Sequence, residues 1–209
     1  MDHRSFLKAL SAEEKAALTE TEDAAGLWHL AGHLGLILGC GALIAAKVPL
    51  WWVLLPVQGV VIVFLFTLEH ECTHKTPFRS PALSDWVGRL CGMVLLLPFE
   101  WFRYFHLAHH RHTNIPGLDP ELASEKPETL AQWLWHVSGL PYWAAGVRLM
   151  AALVLGRAEG DYLPQSAKPR IVREARVMAV LYAGLAATLA GVFGVWAWGR
   201  GKRSAEPLA

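Results

Sequence analysis

The chain has 209 residues, 54% of them hydrophobic and only 18% charged, with a formal net charge of +1 and a mean hydropathy of +0.30. Soluble domains carry about 25% charged residues. This composition therefore excludes a disordered chain, and the balanced charge without a basic block excludes a nucleic-acid-binding domain. Three cysteines, Cys40, Cys72 and Cys91, cannot pair completely, so no disulfide framework is legible. What remains is a large buried domain or a membrane protein.

In chain order, residues 1–25 are interrupted by acidic residues and hold no apolar core before a small-residue cleavage site, which argues against a signal peptide. Ser11 and Glu14 have capping-box spacing and predict a short helix before the first span. A spanning helix needs roughly 20 apolar residues, and three uncharged runs reach that length: Gly26–Ala46, Val48–Leu68 and Val177–Gly199. In the first, Gly32, Gly35, Gly39 and Gly41 predict a close-packing face. His29 and His33 predict a pair that faces the bundle and finds a hydrogen-bond partner. In the second, Pro49 suits a first helical turn and Pro56 predicts a bend.

The apolar stretch Leu90–Phe99 is too short to span and predicts an interfacial or partly inserted helix, started near Ser84 or Asp85 and stopped by Pro98. Thr129–Val147 lacks charge but carries Gln132, His136, Ser138 and Pro141, and reads as an interfacial or re-entrant stretch rather than a fourth span. The expected fold is all-α: a multi-pass transmembrane helical bundle with cytoplasmic or interfacial helices. Its expected divisions are an N-terminal segment 1–25, a membrane domain 26–199 and a tail 200–209. Twelve Lys and Arg fall in residues 69–176, whereas only Lys47 links the first two spans. The positive-inside bias then puts the N-terminus and the middle segment in the cytoplasm. Trp51, Trp52, Trp196 and Trp198 fall at the opposite interface.

Six of the ten histidines lie in two clusters of that middle segment. The first is His70-Glu71-Cys72-Thr73-His74, the second His106-Leu107-Ala108-His109-His110-Arg111-His112. Residues four apart on a helix share one face, about 40° apart, and His106, His109 and His110 fall within about 100°. Imidazoles offered from two helices make a nitrogen-rich metal site suited to iron, copper, zinc or nickel. The first cluster also has the H-E-x-x-H form of zinc peptidases. The surplus of histidines in the second favours a two-metal centre. Cys72 reads as packing, and Arg103 and Arg111 are equally open to lipid headgroups, a donor protein or nothing specific.

The two clusters, their 31-residue separation, and Asp119-Pro120-Glu121 after the second resemble the integral-membrane fatty acid desaturases. The resemblance covers about residues 26–198, and the gap is also similar to that of carotenoid ketolases. It implies a non-haem di-iron centre on the cytoplasmic side, with His70, His74, His106, His109 and His110 as ligands and no catalytic residues beyond them. It further implies O2 as co-substrate and desaturation of a lipid acyl chain. Electrons would come from a separate ferredoxin-, rubredoxin- or cytochrome b5-like protein, since the chain shows no redox module of its own. Glu71, Asp119 and Asn114 are the candidate partners behind the imidazoles.

The chain departs from the family in one respect. A third box, HxxHH, is expected after a further hairpin, yet the only histidine beyond His112 is His136. Five histidines fall short of two irons, so the expectation is a truncated or frameshifted desaturase with incomplete metal coordination. The alternatives are a non-catalytic membrane remnant, a His-rich metal-binding membrane protein, or a carotenoid ketolase or hydroxylase relative.

Overall fold

The computed structural model describes the backbone of residues 3–124 and 126–203 and the side chains of 5–124 and 126–194. Every regular element among them is a helix. They group into two compact units, residues 1–123 and 124–209.

In the first unit, α1 (His3–Ala9) and α2 (Ala12–Leu18) precede the first long helix. The expected capping box is formed: Glu14 N donates to Ser11 Oγ at 3.1 Å, and Ser11 N donates to the Glu14 carboxylate at 2.7 Å. α3 (Asp23–Ala45) covers the first uncharged run. The chain then turns through Lys47 and Leu50, both at positive φ, so Pro49 lies in the turn and not in a helix. A 3₁₀ turn, Trp51–Val53, leads into α4 (Leu54–Val63). Pro56 falls in the first turn of α4, where its missing N–H has no intrahelical bond to lose. The interruption comes at Phe64 instead, ahead of α5 (Leu65–His74).

α6 (Pro81–Leu95) starts earlier than expected, because Leu83 N donates to Ser80 Oγ at 3.3 Å and Pro81 occupies the first helical turn. It stops at Leu96, in the left-handed region at φ +58°. Pro98 sits just before α7 (Phe99–His112), and α6 and α7 meet at 99°. Leu65 and Cys72 of α5, Val87, Cys91 and Leu95 of α6, Phe99 of α7 and the loop residue Phe78 form the core. All three cysteines are free, and Cys72 packs in this core.

The glycines show where the helices approach closely. A Cβ at Gly88 would collide with the Phe99 ring, and one at Gly92 with the Leu97 carbonyl and the Glu69 carboxylate. The stripe expected to pack on α3 does not: nothing lies within 4 Å of a Cβ built at Gly32, Gly35 or Gly39, and Gly41 meets only Gln58 at 3.7 Å. The tightly packed glycine of α3 is Gly26, against the Pro77 carbonyl and the Phe78 ring.

In the second unit, α8 (Leu130–Val137) and α9 (Leu140–Val154) meet at 56° through Gly139, at φ +75°. Thr129 and Gln132 form a capping box at the start of α8. The stretch 129–147 is thus a bent pair of short helices. α10 (Lys168–Arg203) is one helix of 36 residues packed on α9, with Met150, Leu153, Ile171, Ala175 and Met178 buried. The side chains of Trp196 and Trp198, and residues 204–209 of the expected tail, lie outside the described residues.

Among the described residues, three helical stretches are long and apolar enough to cross a membrane: Ala12–Ala45, Trp51–His74 and Lys168–Gly194, or up to five if each bent pair is one span. Trp28, Leu36, Leu38, Val60, Val63, Val180 and Leu185 stand exposed along them. Exposed apolar surface on this scale suits a lipid surround rather than water.

Candidate metal centre

The last two turns of α5 carry His70 and His74, and α7 carries His106 and His110 at the same spacing. The helices pack so that all four imidazoles converge, each offering a ring nitrogen within 4.8 Å of the others. His74 Nε2 and His106 Nε2 are 2.9 Å apart. The His70 and His106 ring centroids are 4.1 Å apart and those of His74 and His110 4.8 Å, both pairs edge to face. Burial grades across the site: His106 is buried, His70 and His74 are half-buried, and His110 is exposed. Phe102 stacks on the His106 ring at 5.4 Å and Phe66 packs on Phe102 at 5.4 Å, an aromatic support that limits ring rotation.

The remaining expected ligand, His109, stands beside the cluster, its centroid 5.7 Å from His110 and 6.2 Å from His106. Its Nδ1 donates to Asp119 Oδ1 at 2.9 Å and lies 3.4 Å from Glu121. Asp119 is buried and also accepts from the backbone N–H groups of Asn114 and Glu121 at 2.9 and 3.0 Å. Burial alone would raise this carboxyl, but the hydrogen bonds from His109 and the two backbone groups outweigh it and hold it below its ordinary value. A proton fixed on Nδ1 leaves the Nε2 lone pair of His109 available to a metal. His112 is half-buried and outside the convergent group.

Two of the three candidate partner residues act through side chains. Glu71 Oε1 accepts from His70 Nδ1 at 3.0 Å, while Thr76 Oγ1 donates to Glu71 Oε2 at 2.6 Å. Asp119 holds His109. Asn114 supplies its backbone N–H to Asp119. In α3, His33 Nε2 donates to the Val61 carbonyl at 2.7 Å, as expected, whereas His29, expected to face the bundle with it, is exposed.

Sequence reasoning missed a charge network beneath the site. Arg103 is turned inward, its side chain 16% exposed, where it pairs with Asp85 and lies over the Phe99 ring at 4.5 Å. Lys75 pairs with the same Asp85 oxygen. Glu100 joins Arg103 at 3.8 Å and Arg89 at 2.6 Å. Only the Glu100–Arg103 pair has helical spacing; the others span loops and a corner and leave no periodic signal.

The donor set fits one metal ion. Nitrogens bound to one ion at about 2.0–2.1 Å lie within roughly 4.2 Å of each other, so four donors within 4.8 Å need only a small closure. Imidazole is a ligand of iron, copper, zinc and nickel. Among the described residues this is the only convergent group of three or more metal-ligating side chains.

Fold and site together define an all-helical, membrane-associated protein with a four-imidazole cluster suited to metal binding. A fatty acid desaturase family profile matches residues 48–201, and the chain belongs to that family. It is 31% identical to an sn-1 oleoyl-lipid 12-desaturase of Picosynechococcus over 53% of this chain and 34% of that protein. Identity is 29% to an sn-1 acyl-lipid omega-3 desaturase (ferredoxin) of Synechocystis, over 49% of this chain and 29% of the relative. A chloroplastic omega-6 fatty acid desaturase of Spinacia oleracea is 37% identical over 36% of this chain and 17% of its own. The chain spans about a third or less of these relatives' lengths. No solved structure is significantly similar to it.

Proposed function

We propose that this chain is the histidine-box part of a membrane desaturase, in which His70, His74, His106, His109 and His110 hold iron at the cytoplasmic membrane surface. The observation that carries this reading is the convergence of four imidazoles from two helices. Bound iron would supply the O2-dependent removal of two hydrogens from neighbouring carbons of an acyl chain. The names of the cyanobacterial relatives support an acyl chain carried on a membrane lipid, and one of them supports a ferredoxin-type electron donor.

The residues of this chain orient the ligands and fix their tautomers. Glu71 holds the Nδ1 proton of His70 and Asp119 that of His109, so each ring keeps its Nε2 lone pair. Between His74 and His106, with nitrogens 2.9 Å apart, there is room for one shared proton, and an ion held by both displaces it. Metal affinity therefore falls as pH drops.

Four convergent donors satisfy one ion, so a second iron requires His109 and donors beyond the described cluster. Iron analysis of the purified chain should give about one ion per chain, and close to two would contradict this count. The acyl reaction is tested by the fatty acid profile of cells expressing the chain, with His106→Ala as control. A new unsaturated species lost in that variant supports desaturation. Bound metal with an unchanged profile favours the second reading, a metal-binding membrane protein without desaturase activity, which the convergence of four rather than more histidines also favours.

A further inference from the structure

We propose that Asp85 is a positioning residue for the histidine cluster: its carboxylate ties Lys75, the residue after His74, to Arg103, one turn before His106, and so sets how closely the two histidine pairs approach. The inference rests on reading the cluster as a metal centre.

Both pairs end on the same carboxylate oxygen, so one atom of α6 addresses the end of α5 and the middle of α7. Lys75 closes α5 in the left-handed region at φ +63°, and its Nζ also donates to the Pro81 carbonyl at 3.2 Å. The ammonium thus joins the start of α6 to the end of the first histidine pair. Arg103 is fixed from two further sides, by Glu100 at 3.8 Å and by the face of Phe99 at 4.5 Å. Glu100 is held in turn by Arg89 of α6 at 2.6 Å.

Apolar packing of Leu65, Leu95 and Phe99 holds these helices together, but it is non-directional. A slip of one residue along a helix axis is about 1.5 Å, enough to undo the 2.9 Å approach of His74 and His106. The Arg103 guanidinium resists such a slip because its rigid fork holds Asp85 of α6 with one terminal nitrogen and Glu100 of α7 with the other. Asp85 is not itself among the convergent ligands; it acts through the helices that carry them.

The experiment is a cobalt(II) titration of the full chain in detergent, read by the visible absorption of the bound ion, with helix content and unfolding temperature measured in parallel. Asp85→Asn keeps the shape of the side chain and removes the charge. It should retain helix content, weaken cobalt binding by about 10-fold and alter the absorption spectrum. Asp85→Glu should restore most of both. Lys75→Met cuts one arm at a partly exposed position and should shift the spectrum in the same direction by less, which decides the matter if the Asp85 variants do not fold. Wild-type affinity and spectrum in folded Asp85→Asn or Lys75→Met would overturn the clamp and leave the metal centre standing. No cobalt binding by the wild-type chain would overturn the metal reading, and the clamp with it.

Discussion

α3 and α5 each carry a histidine pair at the same four-residue spacing, yet only one pair becomes part of a centre. In α3, His33 bonds to a backbone carbonyl and His29 is exposed, beside glycines whose missing side chains face open space. In α5, His70 is backed by Glu71, His74 touches His106, and the neighbouring layer is so tight that Gly88 and Gly92 tolerate no Cβ. Spacing aligns two imidazoles on a face. A second helix with its own pair, carboxylates behind the rings and close packing turn that face into a ligand set.

The contrast breaks most visibly at the ligands. Four ligands share about 10–16 kcal/mol in a structural zinc site, so losing one costs roughly 3 kcal/mol, or about 100-fold in affinity. A loss of that size is expected for cobalt binding in His106→Ala, while His29→Ala should bind as wild type; equal losses would erase the distinction between the two pairs. Next come the glycines. Gly92→Ala should destabilise the fold by about 1–3 kcal/mol through overpacking, whereas Gly35→Ala should be neutral or up to about 1 kcal/mol stabilising, both read from unfolding in detergent. Glu71→Gln loosens the hold on His70, one of the four convergent donors, and should weaken metal binding by about 10-fold with little change in unfolding temperature. The smallest effect is expected from His33→Ala: about 1 kcal/mol of stability from one hydrogen bond and an unaltered cobalt titration.

Much of this was legible beforehand because it depends on short-range periodicity. Uncharged runs of spanning length marked the three apolar helices, and four-residue spacing marked the histidine faces. Ser11 with Glu14 marked a helix start. What escaped depends on tertiary packing or on a competing local signal. The start of α6 was written in Ser80-Pro81, an N-cap followed by a first-turn proline, but Ser84 and Asp85 offered the same chemistry one turn later. The glycines of α3 suggest a packing face in sequence, because a stripe of small residues looks the same whether or not a helix lies against it. The pairs Lys75–Asp85 and Asp85–Arg103 join residues 10 and 18 apart across a loop and a corner, where no pattern along the chain predicts them. Asp119 was a candidate partner from its place after the second box, but its choice of His109 required the fold.

The continuity of the Trp51–His74 stretch has a mechanical consequence. At about 1.5 Å per residue, Trp51 to Phe64 measures roughly 20 Å, His70 lies roughly 28 Å along and His74 roughly 35 Å, against a hydrocarbon layer of about 30 Å. Set across such a layer from an interface at Trp51, the helix would deliver the imidazoles to the opposite boundary. Phe64 keeps right-handed helical dihedrals within this one stretch, so a tilt of the helix against a thicker or thinner bilayer would carry His70 and His74 with it.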